Sequence, residues 1–334
     1  MAVQAQDYTG AKWAIGQRVA GSTDAALDRL VDDGALVRLH VLRPTWHLVA
    51  AADIRWLLAL TAPRVHRGNT TWYRTQGIDD ETRRVTRRVL VRELGGRRSR
   101  TRDELGVALT EAGLSAVGPR LAALVMQAEL DGLICSGPRR GRRQTYALLD
   151  ERVPPTAERG RDEALAELAG RYVAGHGPAQ AIDLAWWSGL TIRDARRGLE
   201  LASPALDREL VGERELWAAP GQEPGHEPGP GALPGPSVRL LPNYDELFVA
   251  FRDRRDALDP GLPPDRATPF TVLGHSIVRD GLLVGTWRRT EGGPVVVVEA
   301  DVLVPFHEVE RAGLERAAAA LASFLERAVE LRGD

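Results

Sequence analysis

Arginine is the residue whose number and spacing point most directly to chemistry. Between positions 83 and 102 stand Arg83, Arg84, Arg87, Arg88, Arg92, Arg97, Arg98, Arg100 and Arg102, and a second cluster is Arg139, Arg140, Arg142 and Arg143. Guanidinium groups at this density suit phosphate recognition, where each contact adds a salt-dependent increment of affinity; the alternative is a solvated surface. Arg43, Trp46 and His47 flank a tight turn and could face a nucleic acid, although Trp46 fits a core equally well. Arg288 and Arg289 follow Trp287 at a strand end, as a ligand-facing pair or as plain surface. In Tyr244-Asp245-Glu246 two acids stand beside an aromatic. That arrangement is either a site element or a helix cap made by Asn243 or Asp245.

Other chemistries lack their signatures. There is no phosphate-cradling glycine loop, zinc-ligand spacing or nucleophile elbow. The seven histidines, His40, His47, His66 and His176 among them, show no ligand spacing, and Cys135 is the one cysteine. A single cysteine builds neither an internal disulfide nor a zinc site, which points to a reducing compartment. No metal and no organic cofactor are expected.

The elements that must carry these residues form a repeating pattern. Residues 24–31 read as a helix capped by Ser22 or Thr23, and residues 36–41 as a strand. Arg43-Pro44-Thr45 makes a turn, residues 46–49 return, and a helix over 52–60 is closed by Pro63. Next come helices over 81–93, from a capping box at Thr101-Arg102-Asp103-Glu104 to Leu109, and over 117–131. Strands at 133–135 and 145–149 enclose a basic turn from Gly137 to Arg142. Three helices and a hairpin, in that order, make a winged helix-turn-helix, with the basic turn as its wing. The pattern recurs at lower definition over 161–217, with Thr191 capping a helix over 192–201.

The fold class predicted is therefore mainly α with β-hairpin wings: tandem winged helix-turn-helix units plus a C-terminal α+β domain with a curved sheet or partial barrel. The boundaries predicted are 1–78, 79–152 and 153–219 for the three units, 220–237 for a Gly/Pro linker, and 238–334 for the last domain. Within it, strands are read at 238–241, 270–273, 276–278, 282–287 and 295–302, with a turn at Arg279-Asp280-Gly281 and a long helix over 308–331.

Composition sets the outer bounds. The 334 residues are 43% hydrophobic, enough for a sizeable core, and the net charge of −2 means that any basic face is local. No apolar run approaches the roughly 18 residues of a membrane span, and the start has no signal-peptide pattern. The expectation is a cytoplasmic bacterial protein with no membrane contact. Tandem units remove the usual need for a dimer on DNA, so a monomer is expected.

Several strings resemble a bacterial winged-helix DNA-binding family that includes the azinomycin-resistance type of DNA glycosylase. They are Val3-Gln4-Ala5-Gln6-Asp7-Tyr8 with Ala11-Lys12-Trp13-Ala14-Ile15-Gly16, the run from Arg38 to His47, Trp186-Trp187-Ser188 with Gly189, Leu241-Pro242-Asn243-Tyr244-Asp245-Glu246, and Val284-Gly285-Thr286-Trp287-Arg288-Arg289. The resemblance implies release of alkylated purines and unhooking of interstrand crosslinks in double-stranded DNA. It assigns catalysis to Gln4 and Gln6, which match a glutamine–apolar–glutamine motif. The candidates for DNA contact remain those read from the residues themselves: Arg43, Trp46, His47, Arg139, Arg140, Arg142, Arg143, Arg288 and Arg289. The resemblance also implies a further helical segment ahead of the motif, so the start is expected to be either misassigned or shortened. Two other readings share these features: a noncatalytic winged-helix regulator, and a scaffold that binds proteins.

Overall fold

The computed structural model describes residues 1–221 and 236–333, so most of the expected 220–237 linker lies outside the described residues. About 48% of the residues are helical, which makes the chain mainly α, with a curved half-barrel sheet as its principal β element. In chain order the elements begin β1 (Ala2–Gln4), α1 (Tyr8–Gly16), α2 (Asp24–Asp33), β2 (Leu36–Val41), β3 (Thr45–Ala50), α3 (Ala51–Gly68), α4 (Thr70–Thr75) and α5 (Asp80–Leu94). There follow β4 (Arg100–Thr101), α6 (Arg102–Glu111), α7 (Gly118–Leu130), β5 (Ile134–Ser136), β6 (Thr145–Leu148), α8 (Leu149–Arg152), α9 (Arg161–His176), α10 (Ala181–Ser188) and α11 (Ile192–Ala202). The last are β7 (Asp207–Val211), β8 (Arg214–Ala218), β9 (Val238–Leu241), α12 (Glu246–Val249), α13 (Pro269–Leu273), β10 (Ser276–Arg279), β11 (Leu282–Thr290), β12 (Val296–Val302), α14 (Glu308–Leu325) and β13 (Val329–Arg332).

Two compact units emerge. The first comprises 1–2, 28–172 and 187–204; the second comprises 3–27, 173–186 and 205–334. Residues 28–152 thus share one unit, while the stretch 153–219 is divided between both.

In the first unit, α5, α6 and α7 enclose a core that includes Tyr73, Leu90, Leu94, Leu105, Leu109 and Leu124. Thr101 starts α6 with the expected capping box, its hydroxyl accepting from Glu104 N while the Glu104 carboxylate accepts from Thr101 N. The β2–β3 hairpin packs on α7, and Arg38 N donates to Ser136 Oγ at 2.8 Å. Ala123–Leu130 of α7 are buried along their whole length. His40 and Trp46 of the hairpin meet the fully buried Glu129 of α7, His40 through Nδ1 and Trp46 through Nε1 at 3.3 Å.

Three expectations are corrected here. Pro63 does not close its helix, since α3 runs on to Gly68. Proline removes the bond to the Ala59 carbonyl, but Ala59 and Pro63 both lie on the exposed face, where water replaces the missing donor. Residues 270–273 form α13, not a strand: Thr268 Oγ1 accepts from Thr271 N, and Pro269 opens the helix. The helix predicted over 308–331 stops at Leu325, because Glu326 turns left-handed at φ 53°. Val329–Arg332 then pairs in parallel with β12.

Gly189 closes α10 at φ +71°, and a Cβ there would stand 2.7 Å from the Leu42 carbonyl oxygen. Backbone cannot yield as a flexible side chain would. Gly189→Ala is therefore expected to cost about 2–4 kcal/mol, from the left-handed conformation plus overpacking, read as a lowered urea midpoint at unchanged slope.

In the second unit the five strands run in the order β13-β12-β11-β10-β9, antiparallel except for β12 with β13. Asp280 and Gly281 take φ 50° and 83° in the predicted turn between β10 and β11. Helix α14 packs on β9 and α1 packs on α14, where Trp13 meets Phe324 at 5.2 Å. Trp13 Nε1 donates to Leu240 O at 2.7 Å, fixing α1 to β9. No helix among the described residues is long and apolar enough to cross a membrane.

Candidate active site and nucleic-acid interface

The Gln4-Ala5-Gln6 segment of the second unit is fixed at both ends. Gln4 is buried, and its backbone N–H donates to Glu246 Oε1 at 2.9 Å. The other Glu246 oxygen, Oε2, lies 3.3 Å from His176 Nε2. Ala5 is fully buried and Gln6 is exposed. Asp7 then caps α1, its Oδ1 accepting from Thr9 N at 3.1 Å and Gly10 N at 3.2 Å. Gln6 therefore projects from a backbone held by a carboxylate before it and a helix cap after it.

Glu246 is placed by its own neighbour. Asp245, 1% exposed, caps α12 by accepting from Leu247 N at 2.9 Å. Arg18 grips the same carboxylate with two donors, at 2.7 and 3.0 Å. Burial opposes the charge on Arg18, but the hydrogen bond and charge of Asp245 outweigh it and raise the guanidinium above its ordinary value. Of the two readings of Tyr244-Asp245-Glu246, the cap thus belongs to Asp245, while Glu246 reaches the glutamine segment. Tyr244 adopts φ 57° and donates its N–H to Leu273 O at 3.0 Å. The Asn243 Oδ1 beside it is buried without a partner, in the place a Cβ at Gly10 would crowd at 2.8 Å.

Trp287 Nε1 donates to Leu241 O at 2.7 Å, and His275 meets the Trp287 ring edge-on at 4.9 Å. Burial lowers His275 below its ordinary value, and Arg289 adds to this against the pull of Asp7. Arg289 is half-buried and bound to Glu291 at 2.9 Å, whereas Arg288 is exposed and bound to Glu299 at 2.6 Å.

The remaining sequence-predicted residues lie in the first unit. Arg139 is half-buried and bound by two carboxylates, Asp28 at 2.8 Å and Asp32 at 3.0 Å. Arg140 holds Glu104 at 2.8 Å, and Arg143 stands 3.8 Å from Asp103. Arg142 is exposed with no ion pair among the described residues. Trp46 stacks on His40 at 4.4 Å beneath the Arg38 guanidinium, also at 4.4 Å, which makes it mainly a packing residue. His47 is fully buried, with Nδ1 3.0 Å from Thr45 O, so it stands inside the hairpin and not on its surface. Arg43 is half-buried in the turn.

The sequence reading missed the Glu246–His176 and Arg18–Asp245 pairs. The Leu241–Glu246 string marked one half of each; nothing marked His176 or Arg18. The second-unit arrangement offers two amides and a buried carboxylate already engaged as an acceptor. Such a set orients water and favours positive charge. Among the described residues no group of three or more His, Cys, Asp or Glu is placed to hold a metal.

The chain is 23% identical over 338 residues to an interstrand DNA cross-link repair glycosylase of Streptomyces sahachiroi, covering 92% of this chain and 83% of that protein. The solved structure of the Streptomyces sahachiroi DNA glycosylase AlkZ superposes with a TM-score of 0.73 at 22% identity, covering 99% of this chain and 91% of that one, so the fold is shared. The sequence model of the family described as DNA glycosylase AlkZ-like matches residues 1–324, and on that extent the chain belongs to the AlkZ-like DNA glycosylase family.

Proposed function

We propose that the chain hydrolyses the N-glycosidic bond of alkylated purines or of interstrand crosslink adducts in double-stranded DNA. The observation that carries this reading is the anchored Gln4-Ala5-Gln6 segment: Gln4 tied through its N–H to buried Glu246, and Gln6 exposed on the same rigid stretch. Alkylation at N7 or N3 makes the purine a cationic leaving group, so strong protonation by the protein is unnecessary. What remains is to place a water at the anomeric carbon and to stabilise an oxocarbenium-like transition state. An amide oxygen does both through its dipole. It is a poor general base, which suits a labile bond better than an intact one. In this reading Gln6 faces the sugar, Gln4 shapes the wall behind it, and Glu246 with His176 holds the wall.

The finer architecture we propose is an array of winged-helix units over 1–78, 79–152 and 153–219 followed by the domain from 238 onward, holding the duplex as a monomer in the cytoplasm. The sequence α5, β4, α6, α7, β5, β6 follows the winged-helix order. Arg142, Arg143 and Arg288, all exposed, are the phosphate contacts proposed among the residues first singled out.

The test is release of free base from duplex DNA carrying 7-methylguanine, measured in single turnover with protein in excess. Release above the spontaneous rate is expected. Tight binding to one DNA sequence without any release would instead establish a regulator and overturn the glycosidase reading.

A further inference from the structure

The first unit carries an arginine-lined cleft outside the glutamine segment. A cleft of about 210 Å³ opens between α5 and α7, lined by Arg83, Arg84, Arg87, Thr86, Gln127 and Asp131 among others. Arg83 and Arg87 stand one helical turn apart, so their side chains project over the same face about 6 Å from each other. Arg87 has no ion pair among the described residues. Arg84 holds Glu81 at 2.7 Å, and Arg83 lies 3.9 Å from Asp80, both at the surface, where such pairs are weak and easily exchanged. The carboxylate in the cleft, Asp131, is engaged by His66 Nε2 at 3.1 Å and by Gln127 Nε2 at 3.4 Å.

Thr86 supplies the second observation. It is 4% exposed, yet its Oγ1 has no hydrogen-bond partner among the described residues. A buried hydroxyl left unpaired is unfavourable, and a ligand oxygen entering the cleft relieves that cost. Three planar forks and a hydroxyl donor match a phosphate group, which guanidinium binds bidentately.

We propose that the α5–α7 cleft binds a backbone phosphate of double-stranded DNA through Arg83, Arg84, Arg87 and the Thr86 hydroxyl. The assignment of duplex DNA rests on the proposed function. The site engages DNA whether or not a lesion is present, because phosphates are the same in both.

The test uses an undamaged duplex and fluorescence anisotropy across a salt series. The triple variant Arg83→Gln, Arg84→Gln, Arg87→Gln is expected to reduce the slope of log K against log salt by about 1, at roughly 0.9 per phosphate contact. Thr86→Val is expected to weaken binding about 3- to 10-fold while the melting temperature holds or rises, because removing an unpaired buried hydroxyl does not destabilise. An unchanged slope in the triple variant, or unchanged affinity in Thr86→Val, overturns the site. Calorimetry with inorganic phosphate alone separates the sources. Tight phosphate binding with an unaltered DNA slope assigns the cleft to a free anion and overturns the DNA assignment; weak phosphate binding with a reduced slope supports it. Wild-type protein that releases no base, with the slope change present, would remove the glycosidase reading and leave this site standing.

Discussion

Gln6→Ala is expected to slow release of 7-methylguanine from duplex DNA by about 100-fold or more without moving the unfolding midpoint. Both halves follow from placement. Gln6 is exposed and has no hydrogen bond among the described residues, so truncation removes little that the fold uses, and surface changes of this kind stay within about 0.5 kcal/mol. In the proposed reaction the same amide dipole faces the charge developing on the sugar, and deleting one such group typically costs about 100- to 1,000-fold in rate. Glu246→Gln provides the companion measurement. The substitution keeps size and hydrogen bonding but exchanges a charge-assisted bond to Gln4 N–H for a neutral one. It is expected to lower the single-turnover rate by about 10-fold or more, with DNA affinity changed less than 3-fold, since a loosened segment loses alignment rather than binding. A loss that fell on affinity with the rate intact would show that the segment grips DNA and does not act on the sugar.

The largest effect on stability is expected at Arg18. Asp245 is buried, and Arg18 provides two of the donors that hold it. Removing one partner of such a pair leaves a charge stranded in protein, which costs about 3–5 kcal/mol. The guanidinium is 43% exposed, so the lower end applies to Arg18→Ala. Adding Asp245→Asn to that variant removes the stranded charge and is expected to recover half or more of the loss, as read in urea unfolding of the single and double variants. If the double variant is instead as unstable as the sum of the two single changes, the pair is not the source of the stability.

Local chemistry was legible in the sequence where a single residue type decides the backbone. The capping box at Thr101, the Thr191 cap and the Asp280-Gly281 turn all lie where their residues predict. Errors arose where two local signals competed. Thr268-Pro269 announces a helix start, but the apolar residues after it, taken alone, read as a strand. After Leu325 the apolar positions change from helical spacing to the alternation of Val329 and Leu331, with no glycine or proline to mark the break. The candidate site was legible only in pieces. Glu246 lies 242 residues from Gln4, and Asp245 lies 227 from Arg18. No periodicity within one window pairs residues so far apart; only the completed fold of the second unit brings them together. Likewise the charge of Arg139 was evident, but its two carboxylate partners on α2 were not, and they decide whether it faces solvent.

The covering of α7 by the β2–β3 hairpin limits what that helix can read. A helix that reads DNA letter by letter must offer its side chains to the base edges of the major groove. Along Ala123–Leu130 those side chains are committed to the protein's own interior. Spelling is closed to that stretch, whereas the backbone of a duplex is uniform from one locus to the next. Chemical damage has no fixed address. A glycosylase of the proposed kind, if indifferent to spelling, gives up the ability to find one locus and gains the ability to patrol all of them.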